Sequence, residues 1–410
     1  MNFRVLLPIA VLLSIVSIQT SAQQSRPLTS SLYRQRFTKT LHRLQHHQQP
    51  TPTTSTHNLG VTTSAGPSVG RVRDYFLTVE ELDWNYAPTK WDHLYGKSLN
   101  DSMAALYTVH SLNPPRVGAV YRKAAYRAYT DASFRMRISH DSYLGTLGPV
   151  IRAEVGDRVR VRFRNMASRN YSVYPYGVVS RYDRSKKAGA PITPGEEHVY
   201  EWDIPDRSGP GPKDPSSLVW AYVSDANPTR DLHSGLVGPL IVYKRGLLEP
   251  GILYPTKQDF DQEIVTIMMV NDENRSHYLT QSLALAGLPT SAGIDLTDAT
   301  FRESNRMYNV NGFVFNNMEP LMLVQGSRVR WYLMTLGDEI DIHTAHWHGA
   351  TTLIGGHRLD TVELLPGTFR TADLVPDNPG QWLFHCHVSK HMMAGMSVFY
   401  QILSTNGEEW

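Results

Sequence analysis

A single cysteine, Cys386, stands in 410 residues, so no intramolecular disulfide can hold this chain together. Charge of one sign is equally scarce: 40 Lys and Arg offset 38 Asp and Glu, leaving a net charge of +2. That balance gives no reason to expect a nucleic-acid or membrane-surface partner. Past the first residues no apolar run approaches the roughly 20 residues that span a bilayer. Helix-period patterning is faint throughout. Short alternating runs, 29 glycines and 25 prolines instead predict an all-β protein rich in turns.

The one apolar run, residues 5–18, follows Arg4 and precedes the small residues Thr20, Ser21 and Ala22. Residues 1–22 therefore read as an export signal, and the expected product is secreted and extracellular. Asn100, Asn170 and Asn274 each open an N-x-S sequon, consistent with a glycoprotein. Residues 23–70 are rich in Gln, Ser, Thr, Pro and His and lack the apolar periodicity needed to build a core. His42, His46, His47 and His57 in that segment are expected to be solvated.

The remainder contains a repeat at an offset of roughly 170 residues. Gly156-Asp-Arg-Val-Arg-Val161 returns as Gly326-Ser-Arg-Val-Arg-Trp331, Pro194-Gly195 as Pro366-Gly367, and Pro205-Asp206 as Pro376-Asp377. Ser234-Gly235-Leu236 answers Ala394-Gly395-Met396. Two tandem domains are expected, at 71–248 and 255–405. In 158–164 strict alternation turns Val159, Val161 and Phe163 inward and the arginines outward. Val329, Trp331 and Leu333 repeat that pattern, and each domain is expected to be a Greek-key β-sandwich.

An odd thiol in an exported chain signals an intermolecular bridge, a stray thiol or a metal ligand. Its neighbours favour the ligand. Residues 385–396 read HCHVSKHMMAGM, placing His391 five residues after Cys386 and Met396 five further on. A thiolate, two imidazoles and a weak thioether form the blue-copper donor set, and His343 in DIHTAHWHG could supply the second imidazole. A coordinated thiol is also held deprotonated. Successive strand residues point to opposite faces, so His385 and His387 should face away from Cys386. With His346 and His348 they give four imidazoles on a second site. A lone HxH pair is as easily a solvent-facing strand, but the two segments together carry the metal reading. His93, His110, His140, His198, His233 and His357 lack such company and are expected at the surface or as caps.

These segments resemble the C-terminal domain of multicopper oxidases, and the chain from about 72 to 404 resembles the ceruloplasmin and hephaestin family, with the clotting-cofactor A domains as cousins. The resemblance rests also on DYFLTVEELDWNYAP, LGTLGPVIRAEVGDRV, HSGLVGPLIVYKRG and ESNRMYNVNGFVF. It implies a cupredoxin-like sandwich in each domain. It also implies copper as cofactor, with His343, Cys386, His391 and Met396 as type 1 ligands. His346 is implied as a type 2 ligand, and His348, His385 and His387 as type 3 ligands. In the family, electrons pass singly from substrate to the type 1 copper, then through the cysteine and its flanking histidines to a trinuclear cluster that reduces oxygen.

Three departures qualify that expectation. The repeat maps His343 onto Tyr171, His346 and His348 onto Tyr174 and Tyr176, His385-Cys386-His387 onto Val223-Ser224-Asp225, and Met396 onto Leu236. The first domain should therefore hold no copper. Ser217 and Tyr243 stand where related domains carry a disulfide. Of the family's iron site only Glu303 remains, as a possible ligand for a substrate metal, because Tyr308 replaces a histidine and Lys390 an aspartate. A copper oxidase completed by another chain is therefore expected, acting on a small electron donor or a metal ion together with oxygen. A blue-copper electron-transfer protein and a non-enzymatic interaction module are the alternatives.

Overall fold

The computed structural model describes residues 70–181, 191–248, 259–289 and 293–404. The expected signal at 1–22, nearly all of the 23–70 segment and the junction between the two expected domains lie outside these residues. No helix among the described residues is long and apolar enough to cross a membrane. The fold is all-β and cupredoxin-like, as expected.

Two sandwiches follow one another with the same strand order. In the first, Glu197–Asp203, Arg158–Asn165, Val72–Asn85 and Val120–Tyr129 lie side by side, facing a sheet ordered Ile151–Glu154, Val237–Tyr243, Ser217–Val223 and Tyr174–Pro175. In the second, Phe369–Leu374, Val329–Met334, Gln262–Asp272 and Arg306–Val310 form one sheet. Leu321–Val324, Ser397–Leu403, Gly380–Cys386 and His343–Trp347 form the other. Parallel pairings fall in equivalent places, Val72 with Arg158 and Gln262 with Val329.

Alternation explains the first copy of the shared motif. Val159, Val161 and Phe163 are fully buried, while Arg158 and Arg160 reach outward to Asp203 and Asp74. The second copy departs from this pattern, because Val329–Met334 is buried on both faces. Trp331 and Leu333 enter their own core, whereas Tyr332 and Met334 pack on Val219, Ala221 and Ile241 of the first sandwich. Arg330, also buried, is held by Asp373 at 2.8 Å, Asp259 at 2.9 Å and Ser216 at 2.6 Å. A charge can be buried here because each of its donors has a partner.

Ser217 and Tyr243 are cross-strand neighbours. Each bonds into the second sandwich, Ser217 Oγ to Tyr332 OH at 2.7 Å and Tyr243 OH to Glu263. Where a disulfide would link two strands within one sandwich, these side chains join one sandwich to the other.

Candidate metal centre

Strands His343–Trp347 and Gly380–Cys386 run antiparallel, with Ala345 opposite Cys386, His346 opposite His385 and Trp347 opposite Phe384. Alternation divides these residues between two faces. His343, Ala345, Trp347, Phe384 and Cys386 point inward. His346, His348, His385 and His387 point outward. Tilted rings pack together beneath: Trp331 to Phe384 is 4.8 Å, and Trp347 to Phe384 is 5.0 Å.

On the inner face Cys386 Sγ lies 3.8 Å from His343 Nδ1 and 3.6 Å from His391 Nδ1, and the two nitrogens are 3.1 Å apart. His391 rides on the short helix Ser389–Met393, whose return brings Met396 back to the strand end. Met396 N–H donates to His391 O at 3.0 Å, and Cys386 N–H donates to Met396 O at 3.1 Å. Met396, His343 and Cys386 are fully buried, while His391 is 7% exposed. Burial pushes the thiol pKa up. Contacts with His343, His391 and the Thr344 N–H outweigh it and bring the thiol down to about 6.

His343 has a support that the sequence reading missed. Its Nε2 faces Asp341 Oδ1 at 3.3 Å, and both residues are fully buried. Burial lowers the imidazole pKa, but the bonds to Asp341 and Cys386 raise it above its ordinary value. A carboxylate on one ring nitrogen fixes the tautomer and leaves the other nitrogen free to bind metal. The D-x-H spacing of Asp341 and His343 was the available signal.

On the outer face the four rings cluster. His346 is centred 5.1 Å from His348, 5.3 Å from His385 and 5.2 Å from His387, and His348 Nε2 to His385 Nε2 is 3.0 Å. His346 Nδ1–H donates to Asp360 O and His385 Nδ1–H to Cys386 O, each at 2.8 Å, which leaves both Nε2 atoms unprotonated, that of His385 accepting from His348. Burial, then the neighbouring imidazoles, lowers His385 to about 3, against its bond to Cys386 O. The same two causes lower His348. These are neutral imidazoles, the form that binds metal. A soft thiolate with two imidazoles on one face and an imidazole cluster on the other fit copper by donor type.

Glu303 lies beyond His391, at the end of helix Ala299–Ser304. Its Oε1 receives Lys390 Nζ at 3.2 Å and the hydroxyls of Tyr308 and Tyr107 at 3.1 Å, while Oε2 receives Arg306 at 3.2 Å. Burial would raise this carboxyl, but Lys390 and the two phenols hold it below its ordinary value. The Tyr308 ring packs, tilted, with its centre 5.2 Å from that of His391. Tyr107 comes from the segment preceding Val120–Tyr129, and nothing in the sequence marked it.

The first sandwich shows the same register without the chemistry. Tyr174 lies opposite Val223, as His346 lies opposite His385. Around Tyr171 and Ser224 a polar plug fills the equivalent place. Ser224 Oγ donates to Asp231 Oδ2 at 2.6 Å, Asp231 Oδ1 meets His277 Nε2 at 2.9 Å, and Tyr171 OH meets Tyr278 OH at 2.8 Å. His277 and Tyr278 come from the second half of the chain. One other histidine departs from the surface expectation: His233 is buried, with Nδ1 accepting the Asp272 N–H at 3.2 Å. His140, partly buried like His93 and His198, donates to Gly145 O at 3.2 Å.

Two family profiles, both described as multicopper oxidase, match residues 144–246 and 288–405. Hephaestin of Rattus norvegicus is 41% identical over 340 residues, covering 81% of this chain and 29% of that protein. Human ferroxidase HEPHL1 is 39% identical over 82% of this chain and 29% of the relative. Human ceruloplasmin is 37% identical over 81% and 31%. The chain thus spans under a third of the length of these curated relatives. Among solved structures a multicopper oxidase aligns with TM-score 0.52 at 18% identity, covering 84% of this chain and 93% of the other. A copper nitrite reductase from Nitrosomonas europaea aligns at 0.50 and 17%, covering 82% and 98%, and at these identities both show fold alone. Sequence likeness along most of the chain, the shared fold and the converging Cys and His donors agree: the chain belongs to the multicopper oxidase family.

Proposed function

We propose that this chain is an exported, copper-binding oxidoreductase of multicopper-oxidase type. His343, Cys386, His391 and Met396 would hold a type 1 copper, while His346, His348, His385 and His387 would supply half of a trinuclear site. Bound copper supplies one-electron redox chemistry and, as a cluster, reduction of oxygen. The observation that carries this reading is the position of Cys386. Its sulfur lies with two imidazole nitrogens on one face, while His385 and His387 on either side of it join the imidazoles of the other. One tripeptide therefore links the two sites through covalent bonds.

The chain's own groups divide the work. Asp341 orients His343, and the paired imidazoles favour the thiolate of Cys386. The Asp360 and Cys386 carbonyls aim His346 Nε2 and His385 Nε2 outward. The first sandwich offers Tyr174, Tyr176, Val223 and Asp225 at the corresponding places, so imidazoles to complete the cluster would come from another chain in a homo- or hetero-oligomer. That same observation favours a second reading, in which the chain binds copper and transfers electrons without oxygen turnover. A non-enzymatic module leaves both donor groups unexplained. Copper content measured beside mass in solution tests these readings. Oxygen uptake confined to an assembly holding more than one copper per chain supports the oxidase, and one copper with no uptake in any assembly supports electron transfer.

A further inference from the structure

We propose that Lys390 sets the donor specificity of this site: its ammonium occupies the position at Glu303 that a substrate cation would need, so the donor is a neutral or anionic organic reductant and not Fe(II). This rests on the copper-binding reading of His343, Cys386 and His391. Of those three residues only His391 reaches the surface, at 7% exposure, and electrons would arrive at its edge. Tyr308 lies against that edge, and Lys390 lies over Tyr308, with Nζ 5.6 Å from the ring centre.

Glu303 is the carboxylate within reach of Lys390 and Tyr308, and four donors already lie on it, three of them on Oε1. A carboxylate offers about four lone-pair positions. Lys390, Tyr308 and Tyr107 share Oε1, and Arg306 binds Oε2. Arg306 is itself shared with Asp272 at 3.5 Å. A divalent cation binding Oε1 would have to displace Lys390 and then remain near the displaced ammonium, and at Oε2 it would sit beside the Arg306 guanidinium. The phenol of Tyr308 gives no help, because its hydroxyl is already spent as a donor to Glu303 Oε1 at 3.1 Å. The Lys390 side chain is 61% exposed, so an incoming anion can reach it without disturbing Glu303.

The test uses full-length protein loaded with copper and kept reduced under anaerobic conditions, with Mn2+ as a hard divalent probe followed by loss of its free electron-paramagnetic signal. Wild type and Lys390→Arg should bind no Mn2+ at micromolar concentration. Lys390→Ala should bind Mn2+ at least about tenfold more tightly than wild type, and Lys390→Ala with Glu303→Gln should lose that gain. In parallel, Fe(II) should bleach the oxidised blue band of Lys390→Ala at least about tenfold faster than that of wild type, as expected for removing a like charge at short range. The double change Tyr308→His with Lys390→Asp should raise the rate further. Micromolar Mn2+ binding by wild type, or no gain in Mn2+ affinity on Lys390→Ala, overturns the proposal. A wild type without a blue band would defeat the copper reading instead, and the Mn2+ arm would still report on Lys390.

Discussion

His346 and His385 face each other across adjacent strands, and Tyr174 and Val223 occupy the same register in the first sandwich. One scaffold thus presents imidazoles in one copy and a phenol beside an aliphatic chain in the other. The consequence is stoichiometric. An isolated monomer should retain about one tightly held copper per chain, since one complete thiolate-containing donor set exists. Elemental analysis after gel filtration checks this, and three or more coppers per monomer would refute the reading of the first sandwich. His387→Ala should abolish any oxygen uptake by an assembly while leaving the blue colour.

Asp341 is the support most exposed to test. Asp341→Ala should leave the ligands in place but free the His343 ring, weakening copper retention about 10- to 100-fold against a chelator. Equal retention by variant and wild type would remove Asp341 from the account.

Acid should weaken the fold through His233. Burial, then the nearby Arg275, lowers its folded pKa to about 4, against about 6.5 unfolded. The unfolded chain gains a proton below pH ~6.5, and the folded chain gains it only near pH ~4. Stability is therefore present above the unfolded value and falls as pH drops through that window, by about 3 kcal/mol in full. Chemical denaturation of metal-free protein at several pH values measures the slope, and His233→Gln should flatten it.

The plug in the first sandwich should act on stability and not on metal content. His277→Ala removes the partner of Asp231 Oδ1 and leaves a fully buried carboxylate oxygen unpaired, a loss of about 1–3 kcal/mol. Denaturant titration should show the shift, with copper content unchanged. An unshifted midpoint would mean that Asp231 finds another partner.

The sequence made some of this legible and left some hidden, for physical reasons. The ligand faces could be read because strand alternation is local: HCH and HWH divide inner from outer side chains whatever the rest of the chain does. The rule failed at Val329–Met334, whose outward face is covered by the first sandwich, and pairwise packing between sandwiches leaves no trace in a period-2 pattern. Lys390 and Glu303 could be named from the family resemblance. Their contact, and that of Tyr107 about 200 residues away in sequence, is tertiary. His233 and His277 were misread or missed because a histidine's burial depends on what folds over it.

The proposed function turns on Cys386 being a copper ligand and not a stray thiol. Absorption spectroscopy of oxidised, copper-loaded wild type beside Cys386→Ser tests it most directly. Wild type should be intensely blue or green, and the variant folded, colourless and still able to bind copper weakly through its imidazoles. A fully loaded but colourless wild type, or colour that survives in Cys386→Ser, would contradict it.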